Sequence, residues 1–280
     1  MNPLQYLKSF FAGTLMGIAA IIPGVSSGTI ALITGVYKKT IDSFDILLSK
    51  QQGKWYALAF LLTIITGMLL ATFLFASLME SLLARFPIRM NLLFAGLILG
   101  TIPSIVRQIK TNNVHRIEIK HLVTIFFAFL FVVVIGQFSS GNQNVIVELT
   151  FITGLSLFIA GILSTGTAII PGISGSMLLV TLGMYGTMIS AMSNLYWPLL
   201  LLLGLGSLVG FVMFSKMMKI LLKHYTATTY SLITGFLLGS IVHILPYELT
   251  LDFAVLISYI VIFLAGFFAV LFLGSKKRYV

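Results

Sequence analysis

Long stretches without a charged side chain limit most strongly how this chain can fold. A helix needs about 20 apolar residues to cross the hydrocarbon layer of a membrane. Hydrophobic residues make up 59% of the chain and charged residues only 9%, whereas about 25% of residues are charged in a typical soluble protein. The charge-free runs are Ser9–Tyr37, Trp55–Met79, Met90–Val106, Leu122–Val147, Leu149–Ser215, Tyr225–Tyr247 and Phe253–Ser275. The sequence therefore predicts an all-α integral membrane protein.

The composition also excludes several kinds of chemistry. The chain has no cysteine, which rules out disulfides, thiolate nucleophiles and cysteine-bound metals. Its four histidines are scattered along the sequence, so neither a metal site nor a cofactor is expected. The 17 Lys and Arg against 7 Asp and Glu give a net charge of +10. In a membrane protein such an excess marks the cytoplasmic loops and does not require a nucleic-acid partner.

The positions of the basic residues predict which loops face the cytoplasm, because short loops rich in Lys and Arg stay on that side. The connection 139–148 and the corner near Tyr247 carry only acidic charges and are predicted to face outward. Arg85 and Arg89 fall on the outer side in this arrangement, against the rule. The basic clusters are Lys38, Lys39, Lys50 and Lys54; Arg107, Lys110, Arg116 and Lys120; Lys216, Lys219 and Lys223; and Lys276, Lys277 and Arg278.

Counting crossings between these loops gives six full spans and two re-entrant segments. The run 9–37 and the stretch from about 149 to 191 each begin and end on one side, so each must enter the membrane and return. A further break is expected near Ser193 and Asn194. Both termini are then cytoplasmic. The six predicted spans are Trp55–Met79, Met90–Val106, Leu122–Phe138, Trp197–Ser215, Tyr225–Tyr247 and Phe253–Ser275.

The two re-entrant segments resemble each other in sequence. Phe10–Ile41 aligns without gaps on Phe158–Ile189 at a shift of 148 residues, and Gly96–Ile102 matches Gly235–Ile241. Identical pairs in the first match include Ala12/Ala160, Gly13/Gly161, Ile21/Ile169, Ile22/Ile170, Pro23/Pro171, Gly24/Gly172, Ser26/Ser174, Gly35/Gly183 and Tyr37/Tyr185. These matches predict a duplication with halves 1–146 and 147–280, each a re-entrant hairpin followed by three spans.

The predicted topology gives the two halves opposite orientations in the membrane. Such inverted repeats are found in many secondary transporters, whose sites lie near the midplane on interrupted helices. A separate series of glycines, Gly204, Gly206 and Gly210, is predicted to allow close packing of helices rather than chemistry.

The first hairpin is interrupted at Pro23 and Gly24. Proline has no N–H and interrupts the helical ladder, and glycine permits a turn that other residues do not adopt cheaply. The helix that resumes at about Thr29 begins with N–H groups that have no intrahelical partner. In hydrocarbon each such group costs several kcal/mol, so irregular backbone is tolerated only where protein or a wet cavity surrounds it.

Hydroxyl groups accompany both breaks. The positive end of a helix dipole together with hydroxyl donors forms an anion site, and two such ends that approach from opposite faces would meet near the middle of the membrane. The alternative is that the serines only cap the helix starts. The candidate substrate-binding residues are Pro23, Gly24, Ser26, Ser27, Gly28 and Thr29 in the first break and Pro171, Gly172, Ser174, Gly175 and Ser176 in the second.

Few charged or titratable residues can act with such a site. Arg107 is a candidate countercharge for a phosphate, or else an anchor at the cytoplasmic interface. Arg85 and Arg89 can meet either an anion or lipid headgroups on the outer side. Glu80 can pair with Arg85. His243 lies within a predicted span, where an ionisable group is a functional candidate; His243 and Glu80 are therefore candidates for proton coupling, and the alternative for His243 is a hydrogen-bonded interfacial residue.

The doubled motif resembles the paired motifs of a bacterial family of polyprenyl-phosphate transporters, and the similarity covers nearly the whole chain. The family pattern has glycine at the position of Ser27. The residues that carry the resemblance are Ile-Ile-Pro-Gly-Val-Ser-Ser-Gly-Thr-Ile-Ala at 21–31 with Gly35 and Tyr37, and Ile-Ile-Pro-Gly-Ile-Ser-Gly-Ser at 169–176 with Gly183 and Tyr185.

The resemblance implies translocation of undecaprenyl phosphate across the bacterial cytoplasmic membrane, which returns the carrier lipid for cell-wall synthesis. The expected partners are the polyprenyl-phosphate lipid and membrane lipids, and a homodimer is compatible with the sequence. The lipid tail can stay in the bilayer, so the protein need only shield the phosphate, whose charge is costly in hydrocarbon. Alternating access by the two halves needs no covalent step.

Two other functions compete with this interpretation. Undecaprenyl-pyrophosphate phosphatases also combine inverted repeats with Pro-Gly-x-Ser motifs, but their motifs continue with arginine and come with a pair of glutamates four apart. Here Ser27 and Gly175 stand at the arginine position, and no acidic residue lies in either hairpin, so the groups for general acid–base or metal-assisted hydrolysis are missing. A permease for a small anion or other solute would use the same site with a water-filled path.

Overall fold

The computed structural model describes residues 3–21, 26–50, 52–111, 118–137, 150–194, 196–245 and 253–275. These residues form helices joined by short turns, and no strand occurs among them. The helices are α1 (Pro3–Ile21), α2 (Ser27–Thr34), α3 (Tyr37–Leu48), α4 (Lys54–Arg85), α5 (Pro87–Thr111), α6 (Ile119–Gln137), α7 (Phe151–Ile169), α8 (Gly175–Thr181), α9 (Tyr185–Ser193), α10 (Trp197–His224), α11 (Thr226–Ile244) and α12 (Phe253–Ser275).

Six of the described helices are long and apolar enough to cross a membrane, which confirms the prediction of an all-α membrane protein. Five of them, α4, α5, α6, α10 and α11, contain the predicted spans or most of their length. The sixth is α7, which the sequence assigned to a hairpin arm, whereas the apolar part of α12 is the shorter stretch Val255–Leu271. Length and composition alone therefore do not distinguish a hairpin arm from a full crossing.

The helices of the two halves correspond in position. α7 begins and ends 148 residues after α1, and α8 and α9 begin 148 residues after α2 and α3. The predicted break near Ser193 and Asn194 is also present, because α9 ends at Ser193 and α10 begins at Trp197. The same alignment that relates the two sequences thus relates their helix boundaries.

Glycines bring matching helix pairs into close contact. A Cβ atom added to Gly67 of α4 would lie 2.4 Å from the carbonyl oxygen of Phe10 in α1, and one added to Gly206 of α10 would lie 2.0 Å from that of Phe158 in α7. The offsets are 139 residues between α4 and α10 and 148 between α1 and α7. Small residues of this kind let helix backbones approach closely in a membrane. The packing role predicted for Gly206 holds, whereas Gly204 faces open space.

The last helix of each half packs against the other half. A Cβ on Gly96 of α5 would lie 2.1 Å from the carbonyl oxygen of Phe263 in α12, and a Cβ on Gly235 of α11 would lie 2.4 Å from that of Ile125 in α6. α5 and α11 also contact each other. The main core lies where α1–α4 meet α5, α10 and α11, around Phe60, Ile233 and Leu237. The halves are therefore interlocked rather than separate bodies.

Candidate anion site at the two helix breaks

Ser26 is the residue immediately before α2, the helix that follows the first break. Its backbone is extended, with φ −91° and ψ 129°, and its carbonyl oxygen accepts the N–H groups of Thr29 and Ile30 at 2.9 and 3.3 Å. Its side chain makes no capping hydrogen bond, is 6% exposed, and its Oγ has no partner among the described residues. Pro23 and Gly24, which complete the predicted break, lie outside the described residues.

The unpartnered hydroxyl of Ser26 argues against a capping role alone. A serine at this position normally accepts a hydrogen bond from one of the next N–H groups. Leaving a buried hydroxyl without a partner costs about 1–3 kcal/mol. The N–H groups of Ser27 and Gly28 lie in the first turn of α2, where a helix offers them no carbonyl oxygen as acceptor. A cluster of unpartnered donors of this kind at a helix start suits a bound anion.

The second break turns sharply at Gly172. Its φ is +92° and Pro171 before it is fully buried. A Cβ at Gly172 would lie 2.7 Å from the backbone nitrogen of Leu237 in α11, so the turn is pressed against that helix. Ser174 is buried and its Oγ lies 2.8 Å from the Oγ of Ser176, which is exposed. The second break therefore contributes a linked pair of hydroxyls.

The two breaks touch each other although they are far apart in sequence. The N–H of Gly172 donates to the Oγ1 of Thr29 at 3.1 Å, and Thr29 is 1% exposed. The hydroxyl of Tyr37 donates to the carbonyl oxygen of Ile169 at 3.0 Å. A Cβ on Gly28 would lie 3.2 Å from the carbonyl oxygen of Ala168. These contacts join the two breaks.

Each hairpin is closed by one serine that bridges its two arms. In the first half the Ser27 hydroxyl donates to the carbonyl oxygen of Met16 at 2.9 Å. In the second half the Ser164 hydroxyl donates to the carbonyl oxygen of Gly175 at 2.9 Å. Positions 16 and 164, and 27 and 175, match in the repeat, so the same bond is made with donor and acceptor exchanged. Ser27 thus acts as a clamp between α1 and α2.

We expect Ser27→Ala and Ser164→Ala each to lower the free energy of unfolding by about 1 kcal/mol, because each removes one partly buried hydrogen bond between helices. The measurement is thermal unfolding in detergent. Ser156→Ala is the matched control, since that exposed hydroxyl bonds only to the carbonyl oxygen of Ile152 in its own helix. A change in only one of the two clamp variants would contradict their equivalence.

No acidic side chain occurs in the charge-free runs that hold the two breaks. The partial positive charge at the start of α2 is therefore not opposed by a carboxylate from the same run. Arg107 lies near the end of α5 with an exposed side chain, in contrast to buried Ser26 and Thr29. The tips themselves offer hydroxyl and N–H donors rather than formal charge.

The remaining candidate residues lie on other helices. Arg85 is exposed in the last turn of α4. Arg89 lies in the first turn of α5, over the Phe86 ring at 5.4 Å from its centroid, and lines an open apolar groove between α5 and α12. His243 bridges α11 and α6, because its Nε2 lies 3.1 Å from the carbonyl oxygen of Val132. The side chain of Glu80 lies outside the described part of the structure.

Sequence reasoning did not assign Tyr37 and Ser164 to the site. Tyr37 belonged to the repeated motif, together with Gly35, and that repetition was the available signal. Ser164 had no comparable signal, because its counterpart in the first half is Met16. Both residues position the tips by hydrogen bonds to backbone carbonyl oxygens rather than by contacts between side chains.

Comparisons with known proteins identify the family of the chain. The model of the family described as VCA0040-like, undecaprenyl phosphate translocase-like, matches residues 16–260. A polyprenyl-phosphate transporter of Staphylococcus aureus (strain NCTC 8325 / PS 47) is 34% identical over 270 residues, which cover 94% of each chain. A polyprenyl-phosphate transporter of Vibrio cholerae serotype O1 (strain ATCC 39315 / El Tor Inaba N16961) is 30% identical over 263 residues, 90% of this chain and 82% of the relative. No solved structure matches the chain. The match over most of its length means that the chain belongs to the undecaprenyl phosphate translocase-like family.

Proposed function

We propose that this protein moves a polyprenyl phosphate across the membrane and holds the phosphate at the joined helix breaks. The observation that carries the proposal is the buried hydroxyl of Ser26, the residue before α2, which has no partner among the described residues. Both named relatives are polyprenyl-phosphate transporters, which supports the same class of cargo here. We further propose undecaprenyl phosphate as the cargo and carrier-lipid recycling for cell-wall synthesis as the purpose.

The phosphate would be bound by neutral donors. Ser26 donates its hydroxyl and the N–H groups of Ser27 and Gly28 face the same end of α2, while Ser174 and Ser176 supply the second pair of hydroxyls. Hydrogen bonds to a charged acceptor contribute about 1.5–3 kcal/mol each, enough for a few of them to offset much of the cost of taking the phosphate from water. The isoprenoid tail stays in the lipid throughout.

The inverted repeat remains the topology we propose. Three helices long enough to cross the membrane, α4, α5 and α6, separate the first hairpin from the second. An odd number of crossings reverses direction, so matching hairpins on either side of them would enter from opposite faces. Interrupted helices that meet from opposite faces are the arrangement used by many secondary transporters, in which one half rocks against the other around a fixed site.

The orientation we propose has both termini in the cytoplasm of a bacterial cell. The contact between α3 and α10 supports it, since Asp45 in the first basic region binds Lys219 in the third. Two segments that the positive-inside rule places on one side are thus neighbours in space. On this orientation Arg107 is the cytoplasmic countercharge, and Arg85 and Arg89 meet the phosphate at the outer leaflet.

His243 and Glu80 remain the proposed route for proton coupling. The Nε2 of His243 faces a carbonyl oxygen, which can only accept, so this nitrogen carries the proton in the present arrangement. Separation of α11 from α6 would break this bond and expose the imidazole. A transport rate that does not respond to a proton gradient would remove both residues from the mechanism.

Reconstitution tests the function directly. Purified protein in liposomes is supplied with a short-chain fluorescent polyprenyl phosphate, and the fraction accessible to an impermeant quencher is followed with time. We expect exchange between leaflets to depend on the protein and no inorganic phosphate to be released from a polyprenyl pyrophosphate. Uptake of inorganic phosphate without lipid exchange would favour the permease, and phosphate release would favour the phosphatase.

A further inference from the structure

The contact between α3 and α10 joins the two halves of the molecule on one side. The rings of Phe44 in α3 and Phe211 in α10 meet edge to face with centroids 4.2 Å apart. One residue further along α3, the carboxylate of Asp45 binds the ammonium of Lys219. The side chains of this ion pair are only 16% and 30% exposed. An aromatic contact and a largely shielded ion pair thus hold α3 against α10.

Ser215 lies between these two contacts on α10, one turn from Phe211 and one turn from Lys219. It is 1% exposed, and its Oγ has no hydrogen-bond partner among the described residues. Many other hydroxyls in these helices bond to a carbonyl oxygen one turn earlier, as Ser231 does. Water therefore does not reach Ser215 while α3 and α10 stay together, which makes position 215 a sensor of their separation.

The matching place in the other half lacks this contact. The repeat relates Phe44 and Asp45 to Met192 and Ser193, and the offset between α4 and α10 relates Phe211 and Lys219 to Thr72 and Glu80. No pair of opposite charges stands there in the sequence. Among the described residues, α9 and α4 also make no contact comparable to that of α3 with α10. Among the described helices, the contact of α3 with α10 therefore has no counterpart in the other half.

We propose that the contact of α3 with α10 is the gate that closes the cytoplasmic end of the pathway, and that Asp45 and Lys219 are its latch. The proposal rests on the proposed transport function and adds the residues that decide which side is open. Alternating access requires one end to be shut while the other is open. Because α3 follows directly on the hairpin that carries Ser26 and Thr29, separation of α3 from α10 also moves that tip. Asp45 and Lys219 are positioning residues and need not touch the phosphate.

Accessibility of position 215 tests the gate without any transport measurement. The chain has no native cysteine, so Ser215→Cys introduces a single thiol. In vesicles that expose the cytoplasmic face, we expect Asp45→Asn to speed labelling by an impermeant thiol reagent at least about fivefold, the lower end of usual coupling between conformations. The control is Glu118→Gln, which breaks the exposed pair of Glu118 with Lys120 at 2.7 Å and should leave the rate unchanged.

A charge-exchange variant distinguishes loss of the ion pair from a general disruption of the fold. The double variant Asp45→Lys with Lys219→Asp can remake the pair, so we expect slow labelling of Ser215→Cys to return. Equal labelling rates in Asp45→Asn and Glu118→Gln would overturn the gate, and so would fast labelling that persists in the charge-exchange variant.

Cross-linking connects the gate to transport. Asp45→Cys with Lys219→Cys is treated with a short, reducible bifunctional thiol reagent, and lipid exchange is measured in liposomes. We expect exchange to fall below about one tenth on cross-linking and to return on reduction, while the single cysteine variants remain active. Undiminished exchange in the cross-linked protein would refute the gate with the transport function intact. Absence of exchange in the unmodified protein would refute the transport function, and the labelling rates would still decide the gate.

Discussion

Replacing Ser26 with alanine is expected to reduce lipid exchange by roughly tenfold to a hundredfold, which is the loss of one hydrogen bond to a charged group. The same change should leave the free energy of unfolding unchanged or raise it by up to about 1 kcal/mol, because the hydroxyl that is removed is buried and unpartnered. Activity and stability therefore move in opposite directions. A structural capping role predicts a loss of stability instead.

The control for Ser26→Ala is Ser9→Ala, a serine that is also buried in the first half but whose Oγ bonds to the carbonyl oxygen of Gln5 in its own helix. It should retain normal exchange. Combining Ser26→Ala with Ser174→Ala removes a hydroxyl from each break and should abolish rescue of a strain that lacks other carrier-lipid transporters. Full rescue by the double variant, with normal insertion, would remove these hydroxyls from the mechanism.

The sequence predicted the architecture because lipid imposes simple rules. A helix must cover the hydrocarbon layer, and the charges must lie outside it. The predicted spans that lie in α4, α5, α6, α10 and α11 follow these rules. α7 shows the limit of such rules, because its length and composition suit a full crossing as well as a hairpin arm. The difference depends on tertiary packing, which composition does not encode.

The repeat predicted which residues occupy equivalent places but not the atoms through which they act. Thr29 and Gly172 were both candidates, yet the bond between them joins a side chain to a backbone N–H. The clamp bonds of Ser27 and Ser164 likewise end on carbonyl oxygens. A backbone acceptor leaves no signature in residue identity. Gly175 was the one indirect indication of a clamp bond in the sequence. A glycine is needed there because a Cβ would lie 2.5 Å from the carbonyl oxygen of Ser164.

The sequence also did not predict that the last helix of each half packs against the other half. The match of Gly96 with Gly235 marked both as equivalent packing sites but did not say which helix each would meet. Each glycine meets the last helix of the opposite half, at Phe263 and Ile125. A glycine in the sequence marks a site where a helix can pack closely. It does not identify the partner, because several helices of this chain are similarly apolar.

Gly172→Ala is expected to be the most damaging single substitution at the tips. Two costs combine there. A side chain at φ +92° is strained by about 1–2 kcal/mol, and the new Cβ would overlap the backbone of α11 at 2.7 Å, which adds about 1–3 kcal/mol when the turn is pushed away. The displaced turn would also lose its bond to Thr29, so lipid exchange should fall with stability.

Gly53→Ala separates these two costs. Gly53 has nearly the same φ, +94°, but no atom lies within 4 Å of its added Cβ. It should therefore show only the conformational cost of about 1–2 kcal/mol and normal exchange. The excess loss of stability in Gly172→Ala, measured by thermal unfolding in the same detergent, then reports how tightly the second tip is pressed against α11. If the two variants lose equal stability, the tip is free to move away from that helix, and a close contact between the breaks and α11 is not needed to form the site.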